Sequence, residues 1–431
     1  MKDLSGKRLL ILGGSYCKDA IKKFADEYGV HLIAAGNDPT AEISLIADEY
    51  HNINTTDIVK MKEFLSQNEI DGVYLGSSEP VISAAVSYVR ECGFPCYCTK
   101  EQWTTIQNKA KLKELFMDFD IPVVPRYKLS YDQIDGAAKD IDFPVITKPV
   151  DGCGSNGFSI CNDAEELKKG YLLAAENSYT GEVMIEKYVN NQGVVAFFSF
   201  SDGKMLFLGM EDKYPRIYDE GGSYVAGLLV FESRFTKEFS ERFSHKLEKF
   251  FSHLGLKEGT VWIEVFHDGD NYYFNEAGYR YGGSATVYPI DYLYGVNQVY
   301  ADMYFALTGE SILSGYSSLL GEDVQRKKHY CIYPLYIKSG TIKNIQGFDE
   351  LEKNKSIVKT VITKHIGDSV KATGGFSQNL ALIHFLCDDL SELDETIAFI
   401  HNTIKVCDIS DNDMLTQSFC TSKIPNFQGY R

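Results

Sequence analysis

From Arg8 to about Thr99, short apolar runs alternate with amphipathic stretches. RLLILGG reads as a strand ending in a turn, Lys18 to Tyr28 as a helix, HLIAAG as a strand, Ile58 to Gln67 as a helix, GVYLG as a strand and Glu79 to Cys92 as a helix. Apolar residues recur at helical spacing in the long stretches and run continuously in the short ones. Strand, helix, strand in this rhythm predicts a parallel sheet with helices on its faces. Ligands of such sheets sit beyond the carboxyl ends of the strands, here Gly13-Gly14-Ser15, Gly36-Asn37-Asp38 and Gly76-Ser77-Ser78-Glu79. Ordinary tight turns at helix starts would read the same way.

A second regime begins near Lys100. A charged helix is predicted from Lys109 to Phe119, closed by Ile121-Pro122. Strand-like PVITKPV, a glycine stretch, GFSIC, a helix over Ala164 to Glu176, VMIEKYV and VVAFFSF follow. Hairpin turns fall at Ser201-Asp202-Gly203 and His267-Asp268-Gly269-Asp270. Helical periodicity returns over Thr236 to Leu254 and over Val287 to Leu307, with Gly309 to stop the latter. Beyond about Ser314, HYCIYPLYIK and NLALIHFLC alternate as strands before a helix over Leu393 to Ile404, and the tail reads as a separate α+β unit. The expected division is 1–100, 101–314 with a lid at about 125–190, and 315–431.

At 431 residues the chain suggests two or three packed units rather than one core. A formal net charge of −17 argues against nonspecific attraction to nucleic acid or anionic membrane, so any phosphate must be held by a local site. LLIL near the start is too short for a signal-peptide core and no run is long enough to span a bilayer, so a cytoplasmic protein is expected. The ten cysteines are scattered. Cys92, Cys96 and Cys98 lack the second ligand pair of a zinc site, and reduced thiols are expected.

The stretch ITKPVDGCGSNGF contains GxGxxG at Gly152, Gly154 and Gly157. A dinucleotide turn should open a helix, whereas Phe158 to Cys161 read as a strand and Glu165, Glu166 and Glu176 fall on a helix. What remains is Lys148 on a strand and a glycine loop returning into another strand. Such a hairpin can fold over phosphates, with backbone N–H groups aimed at the oxygens and Lys148 as a point charge; a flexible surface hairpin is the bland alternative. Downstream, Glu264 and Glu276 end two apolar runs joined by a turn, so the carboxylates can meet on one face of adjacent antiparallel strands. Hard oxygen ligands beside phosphates suit Mg²⁺, and Arg280 beside Gly282-Gly283 is placed to meet an anion.

Lys109 at the start of a short helix, Lys148 before the glycine loop, MIEKYV, and Glu264 and Glu276 with a trailing Arg280 together resemble the ATP-grasp superfamily, in the carbamoyl phosphate synthetase-like and carboxylate–amine ligase group. The resemblance spans roughly Leu9 to Gly309 and, less firmly, the tail. It implies an α/β and α+β chain: an ATP-grasp fold behind an N-terminal Rossmann-like (pre-ATP-grasp) parallel sheet, with a small C-terminal α+β domain. It further implies that Lys109 and Lys148 reach ATP phosphates, and that Gly152, Gly154, Ser155, Asn156 and Gly157 close over them. Glu186, Lys187 and Val189 would lie along the adenine, Lys213 would face the phosphates, Glu264 and Glu276 would hold Mg²⁺, and Arg280 would steady a substrate carboxylate or acyl phosphate.

The chain departs from the family pattern twice. Gly278 stands where Glu-x-Asn-x-Arg carries a metal-ligating amide, and Gln192 to Val195 supply no acid for the ribose. The implied activity is ATP-dependent joining of a small-molecule carboxylate to an amine through an acyl phosphate, with ADP and phosphate released. Bicarbonate activation, as in carboxylases, and a non-catalytic ATP-binding regulatory subunit are the alternatives. A homodimer is expected from the resemblance alone.

Overall fold

The computed structural model describes residues 2–151, 157–190, 192–217, 224–313 and 328–424. The strand Arg8–Ile11, with Leu9, Leu10 and Ile11 fully buried, pairs in parallel with His31–Gly36 on one side and Gly72–Tyr74 on the other. Burial on both faces is what a parallel sheet covered by helices demands. A fourth strand, Glu49–Asn52, extends the sheet beside His31–Gly36. Its EYHN sequence is only half-buried and carries no apolar run, so periodicity does not mark it. The helix expected over Glu79 to Cys92 is regular only over Glu79–Ala85 and continues as turns.

The large sheet is antiparallel and eight-stranded, in the order Tyr272–Gly278, Gly259–His267, Gln192–Ser201, Lys204–Ile217, Tyr224–Phe231, His329–Tyr336, Asn379–Cys387 and Ile357–Ile362. It runs continuously across position 314/315: Leu229, Val230 and Phe231 pair with Ile332, Cys331 and Tyr330. The tail therefore shares both sheet and core with what precedes it, Tyr214, Leu228 and Val230 packing among Leu380, Ile383 and Ile397. One face of the sheet is closed by the amphipathic helix Thr236–His253. Its Phe239, Phe243, Leu247 and Phe250 pack on Val194, Ala196, Val261, Ile263 and Val265, in a cluster that also takes in Leu10 and Val73 of the parallel sheet.

A separate four-stranded antiparallel sheet, ordered Arg126–Tyr127, Val183–Lys187, Val145–Pro149 and Ser159–Cys161, is backed by the helix Ala164–Glu176 through Leu167. This is the unit that carries Lys148 and Glu186. The single helix expected over Val287 to Leu307 is two helices, Val287–Tyr294 and Gln298–Thr308. Gly295 ends the first in a left-handed turn at φ 67, and the Asn297 side chain caps the second by accepting from Tyr300 N–H.

Phe274 fixes the strand that carries Asn275 and Glu276. It is fully buried, packs against Phe116, Phe239 and Phe243, and donates its N–H to Pro122 O at 2.8 Å. Phe274→Ala is expected to lower the unfolding free energy by about 3–5 kcal/mol, the range for a deleted core aromatic, read by urea denaturation; a loss below about 1 kcal/mol would show that the strand is held by other means.

Candidate active site

The helix Lys109–Asp118 places Lys109 and Lys113 four residues apart, on one side. Lys109 Nζ lies 3.0 Å from Glu276 Oε2. Lys113, fully buried, pairs with Glu186 Oε1 and donates to Asn275 Oδ1 at 3.2 Å. From the four-stranded sheet, Lys148 Nζ reaches Glu186 Oε2 and Asn275 Oδ1, both at 2.8 Å. Lys148 and Glu186 are diagonal neighbours on adjacent strands, Lys148 facing Met184 and Ile146 facing Glu186, which is within reach for long side chains. Asn275 Nδ2 donates to Glu264 Oε2 at 2.7 Å, and Lys213 Nζ donates to Glu264 Oε1 at 2.7 Å. Gly193 stands in register with Lys213 on the neighbouring strand, so no side chain blocks the path to Glu264.

A β-bulge creates this convergence. Glu264 pairs with Glu276 but Val265 pairs with Phe274, so Asn275 is the extra residue and turns to the same face as Glu276. Strict alternation would send Asn275 into the core, which is why the sequence pattern hides it. Lys113 is also absent from the sequence expectation; its signal is the i, i+4 spacing from Lys109.

Electrostatics follow from the pairing. Burial raises the Glu276 carboxyl, but Lys109 foremost, then Lys148 and Lys213, hold it down at about 2. Glu186 is likewise raised by burial and brought to about 2 by Lys148 and Lys113. Burial and the neighbouring Lys148 push Lys113 down to about 7, against the pull of Glu186. Glu264 attracts Lys213 and raises it despite burial.

Arg280 donates through Nε to Glu79 Oε1 at 3.1 Å, pairs with the same carboxylate through Nη2, and gives Nη1 to Tyr281 O at 2.7 Å. This joins the loop after Gly72–Tyr74 to the end of the large sheet. Arg280 also lies over the Trp262 ring, 5.3 Å from its centroid. That indole explains Gly278: a Cβ there would stand 2.5 Å from Trp262 Nε1 and 2.6 Å from Cε2. The position where the family pattern has an amide is thus covered by Trp262.

Of the expected adenine residues, Glu186 is fully buried between the two ammoniums of Lys113 and Lys148. The Lys187 side chain pairs with Asp142, and its N–H donates to Pro125 O at 2.9 Å. Val189 follows the end of the strand Val183–Lys187. Gly152, Gly154, Ser155 and Asn156 lie outside the described residues; Gly157 follows them as a turn beside Pro149 and Asn177.

Two carboxylates in register, each met by a lysine, fit a hard divalent cation that takes its remaining ligands from phosphate and water. Among the described residues, no group of three or more His, Cys, Asp or Glu could hold a metal without such help.

The profile of the family described as "Carbamoyl-phosphate synthase L chain, ATP binding domain" matches residues 108–202, the segment that bears Lys109, Lys113, Lys148 and Glu186. The resemblance to the ATP-grasp superfamily is thus carried in sequence by this segment. Curated relatives include phosphoribosylamine–glycine ligase of Pyrococcus abyssi, 27% identical over 49% of this chain and 50% of that protein. The 2-oxoglutarate carboxylase small subunit of Hydrogenobacter thermophilus is 25% identical over 64% of this chain and 61% of that one. The chain thus spans about half to three-fifths of the length of these two relatives.

Solved ATP-grasp structures share the fold more completely. Phosphoribosylglycinamide synthetase from Anaerococcus prevotii superposes with TM-score 0.71 at 18% identity, over 94% of this chain and 100% of that one. L-amino acid ligase from Bacillus licheniformis gives 0.73 at 16%, over 94% and 99%. The biotin carboxylase domain dimer of the Hydrogenobacter thermophilus 2-oxoglutarate carboxylase, in complex with MgADP, ADP and bicarbonate, gives 0.73 at 17%, over 95% and 91%. No helix among the described residues is long and apolar enough to cross a membrane.

Glu186 yields a stability prediction. Its folded value of about 2 lies below the roughly 4.3 of an unfolded glutamate, so the unfolded chain takes up the proton first as pH falls. The stabilisation is complete above about pH 5 and is lost on descending through about pH 2. Glu186→Gln, which leaves two buried ammoniums without their counter-charge, is expected to cost about 3–5 kcal/mol at pH 7 and to flatten the acid limb of stability against pH. An acid limb identical to that of the parent chain would contradict the pairing.

Proposed function

We propose that the chain is an ATP- and Mg²⁺-dependent ligase that activates a small-molecule carboxylate as an acyl phosphate and couples it to an amine, releasing ADP and phosphate. The observation that supports this most is the mutual neutralisation of Lys109 with Glu276, of Lys213 with Glu264, and of Lys148 and Lys113 with Glu186 on one buried surface. Lysines that already sit against carboxylates in this way can turn to a polyphosphate when a metal ion takes their place on the carboxylates. Lys109 and Lys148 bind and orient the phosphates, and Lys113 keeps Glu186 in place behind Lys148. Glu264 and Glu276 hold Mg²⁺, which supplies charge neutralisation on the phosphate oxygens when bound. The remaining expectations complete the reading: Lys213 borders the phosphates, and the loop of Gly152, Gly154, Ser155, Asn156 and Gly157 covers them. Glu186, Lys187 and Val189 line the adenine side, with the Glu186 carboxylate directed at the lysines rather than at the base.

Arg280, oriented by Glu79 and by the face of Trp262, meets the substrate carboxylate. Phosphoryl transfer asks a protein mainly for positioning and charge, which these side chains supply without a protein nucleophile.

An ADP-release screen against amino acids, ammonia, bicarbonate and small polycarboxylates tests the reading. Release that needs both a carboxylate and an amine supports it, release with bicarbonate alone points to the carboxylase alternative, and tight ATP binding with no release under any condition points to a regulatory subunit. In the active combination, Lys109→Ala is expected to lower kcat/KM for ATP by about 10²–10³, the usual loss for one charge aimed at a transition state. Glu276→Gln should raise the Mg²⁺ concentration required for half-maximal rate, and an unchanged requirement would remove it from the metal site.

A further inference from the structure

Two buried glutamates on this surface are treated very differently. Glu186 has two lysines, whereas Glu211, on the strand Lys204–Ile217, is 4% exposed and its Oε2 has no hydrogen-bond partner. Register places Glu211 in the same row as the metal-binding carboxylates: Glu276 pairs with Glu264, Glu264 with Val195, and Val195 with Glu211. Residues paired in this way point to the same face, and Lys213, two positions along, shares that face. Val195 and Phe231, which flank Glu211 in register, pack in one cluster with Ala285 and Ile290. The segment that follows Arg280 therefore runs over the face to which Glu211 points.

Nearby charge does not relieve Glu211. Burial raises it to about 8, with Lys213 opposing and Asp212 and Glu264 adding to the rise. Lys213 Nζ sits 2.7 Å from Glu264. A buried carboxyl without a cation is costly in an otherwise paired site, and it is a place where a ligand bearing positive charge and N–H donors gains most.

Resting on the ligase reading above, we infer that Glu211 binds the ammonium form of the incoming substrate, which releases one proton to solvent to give the neutral amine that attacks, so that this site takes ammonium or a primary amine and disfavours an anionic nucleophile such as bicarbonate. Glu211 would contact the substrate amine directly, beyond the Glu264 and Glu276 carboxylates, on the side of the large sheet toward Tyr224–Phe231.

The test compares two nucleophiles in Glu211→Gln and the parent chain, with the carboxylate found in the ADP-release screen: ammonium chloride, which is cationic, and hydroxylamine, which is neutral at pH 7.5. The expected result is a fall of about ten-fold or more in the ratio of kcat/KM for ammonium to that for hydroxylamine, carried by KM, as for one lost charge-assisted hydrogen bond. An unchanged ratio overturns the assignment, whether both activities persist, both fall together, or only the Mg²⁺ requirement shifts because Glu211 serves Lys213. If Glu211→Gln fails to bind MgADP by calorimetry, Glu211→Asp is read for the same ratio, with the same outcomes deciding. No ADP release by the parent chain with any carboxylate rejects the ligase reading itself, and the subsite falls with it.

Discussion

Charged groups buried together must neutralise one another, and that requirement organises this molecule. Lys113 and Glu186 are fully buried and Lys148 nearly so, an arrangement that costs several kcal/mol per ion unless each charge is met. Meeting them requires three elements distant in sequence to be held in one geometry: the helix that starts at Lys109, the small sheet with Lys148 and Glu186, and the edge of the large sheet with Glu264, Asn275 and Glu276. Asn275 is the joint. Its carbonyl accepts from Lys113 and Lys148 while its amide donates to Glu264, so the two lysines and the Glu264 carboxylate are linked through one side chain. The aromatic core under the same strand, Phe274 against Phe116, Phe239 and Phe243, keeps that joint from shifting.

The same constraint explains what the sequence revealed and what it concealed. Helices and strands with clean periodicity, such as Ile58–Gln67 and Ala164–Glu176, read true to the residue. Lys148, Glu264 and Glu276 stood out because each is a charged residue in or at the end of an apolar run, whereas Lys109 and Lys213, in the charged stretches NKAKLKEL and GMEDKYPR, are marked only by the family resemblance. Asn275 was concealed by the bulge, since a one-residue insertion reverses the alternation on which facing is judged. Glu211 was concealed because its neighbours in GMEDKYPR are also charged, and only the register across the strand Gln192–Ser201 places it beside Glu264. The split of the helix after Tyr294 turned on Gly295 within an otherwise apolar stretch. The tail read as a separate unit because its own strands alternate well, while its pairing to Tyr224–Phe231 is a long-range event with no local sequence mark.

Gly278 changes meaning between sequence and structure. In the sequence it is a missing ligand; in the fold it is the space taken by the Trp262 indole, which in turn supports Arg280. A packing reason thus stands beside the chemical loss, and Arg280 gains orientation from it. Glu79 completes that arrangement from the parallel sheet, tying the first strand-end loops to the site.

The central claim is that the lysines and carboxylates serve as each other's partners until phosphate and metal replace them together. If so, nucleotide alone must separate Lys109 from Glu276 and leave the carboxylate bare, whereas nucleotide with metal exchanges both partners at once. Calorimetric titration of ADP into the intact chain, with and without Mg²⁺, measures this directly. The account predicts that Mg²⁺ tightens ADP binding by about ten-fold or more, roughly 1.4 kcal/mol of coupling; equal ADP affinity in the two titrations would contradict it.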